Sequence, residues 1–291
     1  MIDVKGMTLK YPNGKGVFDL TFSVKQGEIM GYLGPNGAGK TTTIRALMGF
    51  MKPNSGTCTI NALDCYRHAA KIKQNLGYIP GEISFPSGMN CMEFLKYQCA
   101  LKGVKDYTLM NSLIERFELD TKGQMKRFSK GMKQKVGIIT AFMHDPNVLI
   151  LDEPTSGLDP LMQNAFIDLI FQEKKKGKTI LMSSHMFDEV ERTCDNVLII
   201  KDGILMAQSD IIALNSSKRK GYIVQTKQMN ELKAMGYETY EVTDDSCEVY
   251  VKGEEIDTFI KNLSKIKVNG LDSKQQHLEE IFLNYYGTGG K

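Results

Sequence analysis

Eight residues, Gly34-Pro35-Asn36-Gly37-Ala38-Gly39-Lys40-Thr41, limit what this chain can fold into more than any others do. They follow GEIMGYLG (27–34), which reads as a buried strand ending in glycine. They lead into GKTTTIRALMGF (39–50), which reads as a helix. The glycines let successive backbone N–H groups turn inward around an anion without Cβ clashes. The helix behind them offers unpaired donors and the positive end of its dipole. Lys40 would set an ammonium against terminal phosphates, Thr41 carries a hydroxyl suited to Mg²⁺, and Thr42 stands ready for a further phosphate contact.

A second motif lies far downstream. In VLILDEP (148–154), apolar residues predict a buried strand that delivers Asp152 and Glu153 at its C-terminal end, the edge where α/β sheets bind ligands. Asp152 suits a magnesium position, and Glu153 suits a general base that polarises a water. TILMSSH (179–185) and NVLIIKDG (196–203) predict further strands, each running into a polar turn. Residues 84–145 have another texture, with helical periodicity in NCMEFLKYQCALKG and KQKVGIITAFMHD, and predict a helical subdomain inserted in the α/β core. The lysine cluster KKKGK (174–178) reads as a solvated helix end.

The polar stretch NSSKRKG (215–221) reads as a linker. Beyond it, YIVQT, ETYEVTD and CEVYVKG predict strands, and EEIDTFIKNLSK and QQHLEEIFLNYY predict helices, giving a small α+β domain over 221–291. His277 would stand alone on a helical face, and the tail GTGGK reads as disordered.

Composition excludes several classes. The formal charge of +3 is too small for a chain that wraps nucleic acid. The cysteines at 58, 65, 91, 99, 194 and 247 form no Cys-x-x-Cys pair, which argues against a zinc knuckle or redox dithiol and for free thiols in a reducing compartment. The first residues lack the apolar core of a signal peptide, and no apolar run approaches the roughly 20 residues of a membrane span. If the chain works at a membrane, another subunit must cross it.

RFSKGMKQK (127–135) has four Lys or Arg in nine residues and could pass for a nucleic-acid patch. Its neighbours suggest otherwise. LDEPTSGLD runs from the paired carboxylates into Ser156-Gly157-Leu158-Asp159, and His185 closes a strand about thirty residues later. Taken in order, these motifs over residues 1–215 resemble the ATPase subunit of an ABC transporter, and FSKGMKQK with LEEIFLNYYG looks most like the branch serving drug, antibiotic, peptide and sodium exporters.

The resemblance implies a P-loop NTPase core with a parallel sheet, an N-terminal antiparallel β part, the inserted helical subdomain and the small C-terminal α+β domain. It implies ATP and Mg²⁺ as ligands, Tyr11 stacking on adenine and His185 contacting the γ-phosphate. Ser129 and Gly131 would cap the γ-phosphate of nucleotide held by a second ATPase subunit, with Asp159 in the same composite site. The implied partners are that second subunit, identical or different, and an integral membrane permease docked near residues 82–110, which places the chain on the cytoplasmic face of the membrane. No nucleic acid is implied.

Two departures stand out. Lys130 replaces the first glycine of the commonest signature, Leu-Ser-Gly-Gly-Gln. In LGYIPGEISFP (76–86), Gly81 takes the place of the usual glutamine, so either Glu82 substitutes as an oxygen ligand for Mg²⁺ or the loop only transmits motion. Two competing classes are a soluble ATPase of the same family acting on DNA or ribosomes, and a module that binds ATP and barely hydrolyses it. The first usually carries two ATPase cores, long coiled coils or zinc modules, and none is visible. The presence of Glu153 and His185 argues against the second.

Overall fold

The computed structural model describes residues 1–211, 220–243 and 245–274. The chain divides into two compact units, Met1–Ile211 and Ile212–Lys291. The stretch read as a linker lies mostly outside the described residues, as do the helix read at QQHLEEIFLNYY, His277 and the tail.

The first unit opens with an antiparallel sheet of β1 (Ile2–Lys10), β2 (Gly16–Val24), β4 (Ser55–Ile60) and β5 (Leu63–Asp64), in the order β2-β1-β4-β5. The alternation of buried and exposed residues along β1 and β2 is the period-2 pattern of strands with one face on a core. Behind it lies a six-stranded sheet built from β3 (Ile29–Leu33), β6 (Leu76–Ile79), β7 (Val148–Asp152), β8 (Thr179–Ser184), β9 (Asn196–Lys201) and β10 (Ile204–Asp210). Its order is β10-β9-β3-β8-β7-β6, all parallel except the β9–β10 hairpin. Every residue of β3, β7 and β8 is buried, as expected for parallel strands covered on both faces.

Register decides where function can sit. Leu33 pairs with Ser184, Asp152 with Ser183 and Ile79 with Leu151. Strands β3, β6, β7 and β8 therefore end level, and the residues after each gather at one edge. Helix α1 (Lys40–Leu47) starts there, α2 (Ala69–Gln74) precedes β6, α6 (Pro160–Lys175) leads into β8, and α7 (Phe187–Thr193) follows β8.

Between β6 and β7 come α3 (Cys91–Leu101), α4 (Thr108–Arg116) and α5 (Lys130–Phe142). Asn90 and Glu93 form a reciprocal capping box at the start of α3. Within the lysine cluster, Lys175 and Lys176 are exposed as read, and Lys178 departs from that reading. Lys178 is buried and paired with the equally buried Glu173 and with Asp145, so it ties the end of α6 to the start of β8 instead of facing solvent. The two carboxylates offset the desolvation of the buried ammonium.

In the second unit, β11 (Lys220–Gln225), β12 (Glu238–Thr243), β13 (Ser246–Val251) and β14 (Gly270–Lys274) form an antiparallel sheet in the order β12-β13-β11-β14. Helices α8 (Met229–Ala234) and α9 (Ile256–Leu263) share its core through Leu232, Phe259 and Leu263.

Candidate active site

The edge where β3, β6, β7 and β8 end holds a cleft of ≈ 770 Å³. Its walls include Tyr11, Pro35, Asn36, Gly37 and the segment Gly39–Thr42 from the first glycine loop, with Gly81, Glu82 and Glu153 opposite. The loop can form because Gly37 and Gly39 adopt φ of 84° and 110°, and a Cβ at Gly39 would strike Val17 at 2.6 Å. Gly34 and Ala38 are buried beneath it.

Lys40 is 6% exposed, and its ammonium donates to Gly34 O at 2.5 Å while standing 3.2 Å from Glu153 Oε1. The other Glu153 oxygen lies 2.6 Å from His185 Nδ1. The carboxylate thus bridges the phosphate-loop lysine and the strand-end histidine. Glu153 takes this position through a backbone φ of +50°, unusual for a residue with a side chain. Its N–H donates to Ser183 O and Ser183 Oγ at 3.2 and 3.1 Å, anchoring the turn to β8.

Asp152 is fully buried and accepts from Thr41 Oγ1 at 2.9 Å and Ser183 Oγ at 2.5 Å. Gly81 presses against it, since a Cβ there would stand 3.0 Å from Asp152 Oδ2. Thr41 and Asp152 are hard oxygen donors side by side beneath the phosphate loop, a set that fits Mg²⁺. Among the described residues no cluster of three or more His, Cys, Asp or Glu could hold a metal alone.

Tyr11 also lines the cleft, partly buried, with its hydroxyl 3.5 Å from Met51 Sδ. Tyr78 shares the cleft, and burial, with the nearby Asp152 charge, pushes its phenol up to about 12, so it remains neutral.

Asp152 and His185 adjoin the cleft through Thr41 and Glu153, whereas three other predicted residues sit at the starts of α5 and α6. Ser129 caps α5, its Oγ accepting from Met132 N at 3.2 Å. Gly131 packs on the Gly157 carbonyl, and Asp159 caps α6, accepting from Met162 N at 3.0 Å. Together they make a separate patch with Lys130, whose ammonium donates to Ser156 Oγ at 2.7 Å. The lysine that departs from the usual signature thus bonds to the loop after β7.

Sequence reading missed two buried groups here. Gln134 donates to Pro154 O at 2.7 Å. Glu189 receives a hydrogen bond from Ser184 Oγ at 2.6 Å beneath the histidine loop, and burial raises its pKa above the ordinary carboxylate value. Each lies one or two helical turns from a residue already singled out, but only the contacts reveal them.

Comparison with known proteins gives this geometry a family. The sequence pattern of the family described as ABC transporter matches residues 17–156. The ABC transporter ATP-binding protein NatA of Bacillus subtilis is 37% identical over 224 residues, covering 73% of this chain and 90% of NatA. The chain belongs to the ABC transporter ATP-binding subunits. The bacitracin transport ATP-binding protein BcrA of Bacillus licheniformis is 33% identical over 302 residues, covering 99% of this subunit and 98% of its own length.

Among solved structures, an ATP binding subunit of an ABC transporter superposes with a TM-score of 0.68 at 32% identity, covering 74% and 92% of the two chains. The dimeric cassette MJ0796 gives 0.66 at 20% identity, covering 72% and 99%, and shares the fold. This ABC subunit has the P-loop NTPase fold and is an ATPase of the transporter class. Among its described residues no helix is long and apolar enough to cross a membrane.

Proposed function

We propose that this subunit powers export of a drug-like or peptide cargo by closing with a second ATPase subunit around two ATP molecules on the cytoplasmic face of a membrane permease. The observation that carries this reading is the division of its site. Lys40, Thr41 and Glu153 line one cleft, with Asp152 bonded to Thr41 and His185 to Glu153, while Ser129, Gly131 and Asp159 sit at the starts of α5 and α6 in the same chain. A phosphate gripped in the cleft receives the Ser129 hydroxyl and the N-terminal donors of α5 only from another subunit.

Within the cleft, Tyr11 stacks on the adenine and Lys40 pairs with the β- and γ-phosphates. Thr41 and Asp152 would hold Mg²⁺, with Glu82, exposed on the cleft wall, as a further oxygen ligand. When bound, the ion neutralises charge on the phosphates. Glu153 accepts a proton from the attacking water, and His185 orients that carboxylate and faces the γ-phosphate.

For the permease, the same unit carries a groove of ≈ 360 Å³ lined by Phe50, Tyr78, Phe85 and Phe94 together with Lys73 and Lys102. Tyr78 and Pro80 line both this groove and the nucleotide cleft, so a segment seated in one presses on the wall of the other. The export assignment is supported by relatives named for bacitracin transport and linearmycin resistance.

Light scattering on Glu153→Gln saturated with ATP and Mg²⁺ tests the composite site. A dimer that Ser129→Ala weakens is expected. A strictly monomeric Glu153→Gln chain, both alone and with its permease, would refute it.

A further inference from the structure

One stripe of α5 runs along the chain that carries Glu153. At the helix start, Lys130 bonds to Ser156, and a Cβ at Gly131 would stand 2.6 Å from Gly157 O. One turn on, Gln134 Nε2 donates to Pro154 O at 2.7 Å and reaches Glu153 O at 3.4 Å. A further turn on, Gly137 backs onto the loop after β6, where a Cβ would lie 2.5 Å from Ile83 Cδ1. Residues 130, 134 and 137 share a face through i, i+4 and i+7 spacing.

Gln134 is 4% exposed, and its amide is aimed at the two carbonyls that follow the left-handed turn of Glu153. Such a turn persists only where its surroundings over-determine it. Ser183 holds the N–H side of the turn, and Gln134 holds the carbonyl side.

We propose that Gln134 is a positioning residue: its side-chain amide fixes the Glu153–Pro154 carbonyls and so keeps the Glu153 carboxylate between Lys40 and His185. Gln134 sits on the helix that begins at Ser129. Engagement of Ser129 and Gly131 by the opposite subunit's nucleotide therefore loads the same helix that aims the base in its own cleft. The inference rests on Glu153 acting as the base.

The test uses the purified full-length chain and steady-state phosphate release for Gln134→Leu, Gln134→Glu and, as a control, Glu153→Gln. Leucine removes both donors, so kcat should fall at least about tenfold while KM for ATP stays within about threefold, because Gln134 is absent from the nucleotide cleft. The glutamate variant adds a readout that loss of packing would not move. Ionised, it sets a carboxylate against two carbonyl oxygens; protonated, it can donate one hydrogen bond. Its kcat relative to the native chain should rise as pH falls from about 8 to about 6.

If Gln134→Leu does not fold, the pH ratio of Gln134→Glu decides, and a flat ratio overturns the proposal. An unchanged kcat in Gln134→Leu beside an inactive Glu153→Gln overturns the proposal while sparing the reading of Glu153. A fully active Glu153→Gln overturns both.

Discussion

Replacing Gly131 with alanine probes whether the signature patch is held as tightly to its own chain as the contacts imply. The new methyl would sit 2.6 Å from the Gly157 carbonyl oxygen, about 0.8 Å inside ordinary contact. Neither partner yields easily, because both are backbone. The first turn of α5 is capped by Ser129, and the facing segment is tied down by Lys130 and Gln134. Overpacking of this kind costs about 1–3 kcal/mol. In a unit of this size each kcal/mol moves the melting temperature by roughly 2–4 °C, so calorimetry should show a drop of about 2–12 °C.

Function should suffer more than stability. Under the proposed function, the displaced helix start misplaces the hydroxyl and amide donors meant for a second subunit, and loss of even one such contact lowers turnover by about tenfold or more. Fluorescent-nucleotide titration of the single chain should be unchanged, since Gly131 does not line the nucleotide cleft. Gly253→Ala, with nothing within 4 Å of its added methyl, is the neutral control. Turnover within twofold of the native chain, or nucleotide affinity lost in parallel with turnover, would refute the division of the site between two faces.

Three further outcomes are expected. Tyr11→Ala removes the ring beside the phosphate loop and should weaken nucleotide binding by about 1–3 kcal/mol, read by titration. Thr41→Val deletes the donor to Asp152 and should raise the Mg²⁺ concentration for half-maximal turnover about tenfold or more, with magnesium-free nucleotide binding preserved. His144 is pulled down from its ordinary value to about 4, first by burial and then by the Lys102 charge. Between pH of about 6.5 and about 4 the unfolded chain therefore binds a proton that the folded one does not. Stability present above that window should fall by about 2 kcal/mol through it, and His144→Gln should flatten that acid limb in thermal melts.

The parts of the fold written in short-range pattern were legible. VLILD is β7, TILMSS is β8 with His185 just past its end, and the glycine loop sits between β3 and α1. Apolar runs and glycine spacing encode such features directly. What remained hidden depends on partners distant in sequence. Strand β14 (GLDSK) lacks an apolar run and exists because β11 offers it an edge. Lys178 looked like a solvent-facing lysine until Glu173 and Asp145 were placed around it. Gln134 read as one more polar residue in a basic helix, because nothing local reveals that its amide meets two carbonyls from the turn after β7. Lys130 read as a loss of a glycine, while the structure gives it Ser156.

All six cysteines are buried, and burial pushes the thiols of Cys58 and Cys194 up to about 12 and that of Cys91 up to about 11. Since the thiolate is the reactive form, the native chain offers electrophilic labels almost nothing to attack. It is therefore a ready blank background for spectroscopy. A single cysteine introduced on an exposed site would carry a fluorophore or spin label alone, without first stripping out the natural ones, and opening and closing could be timed on a chain otherwise unaltered.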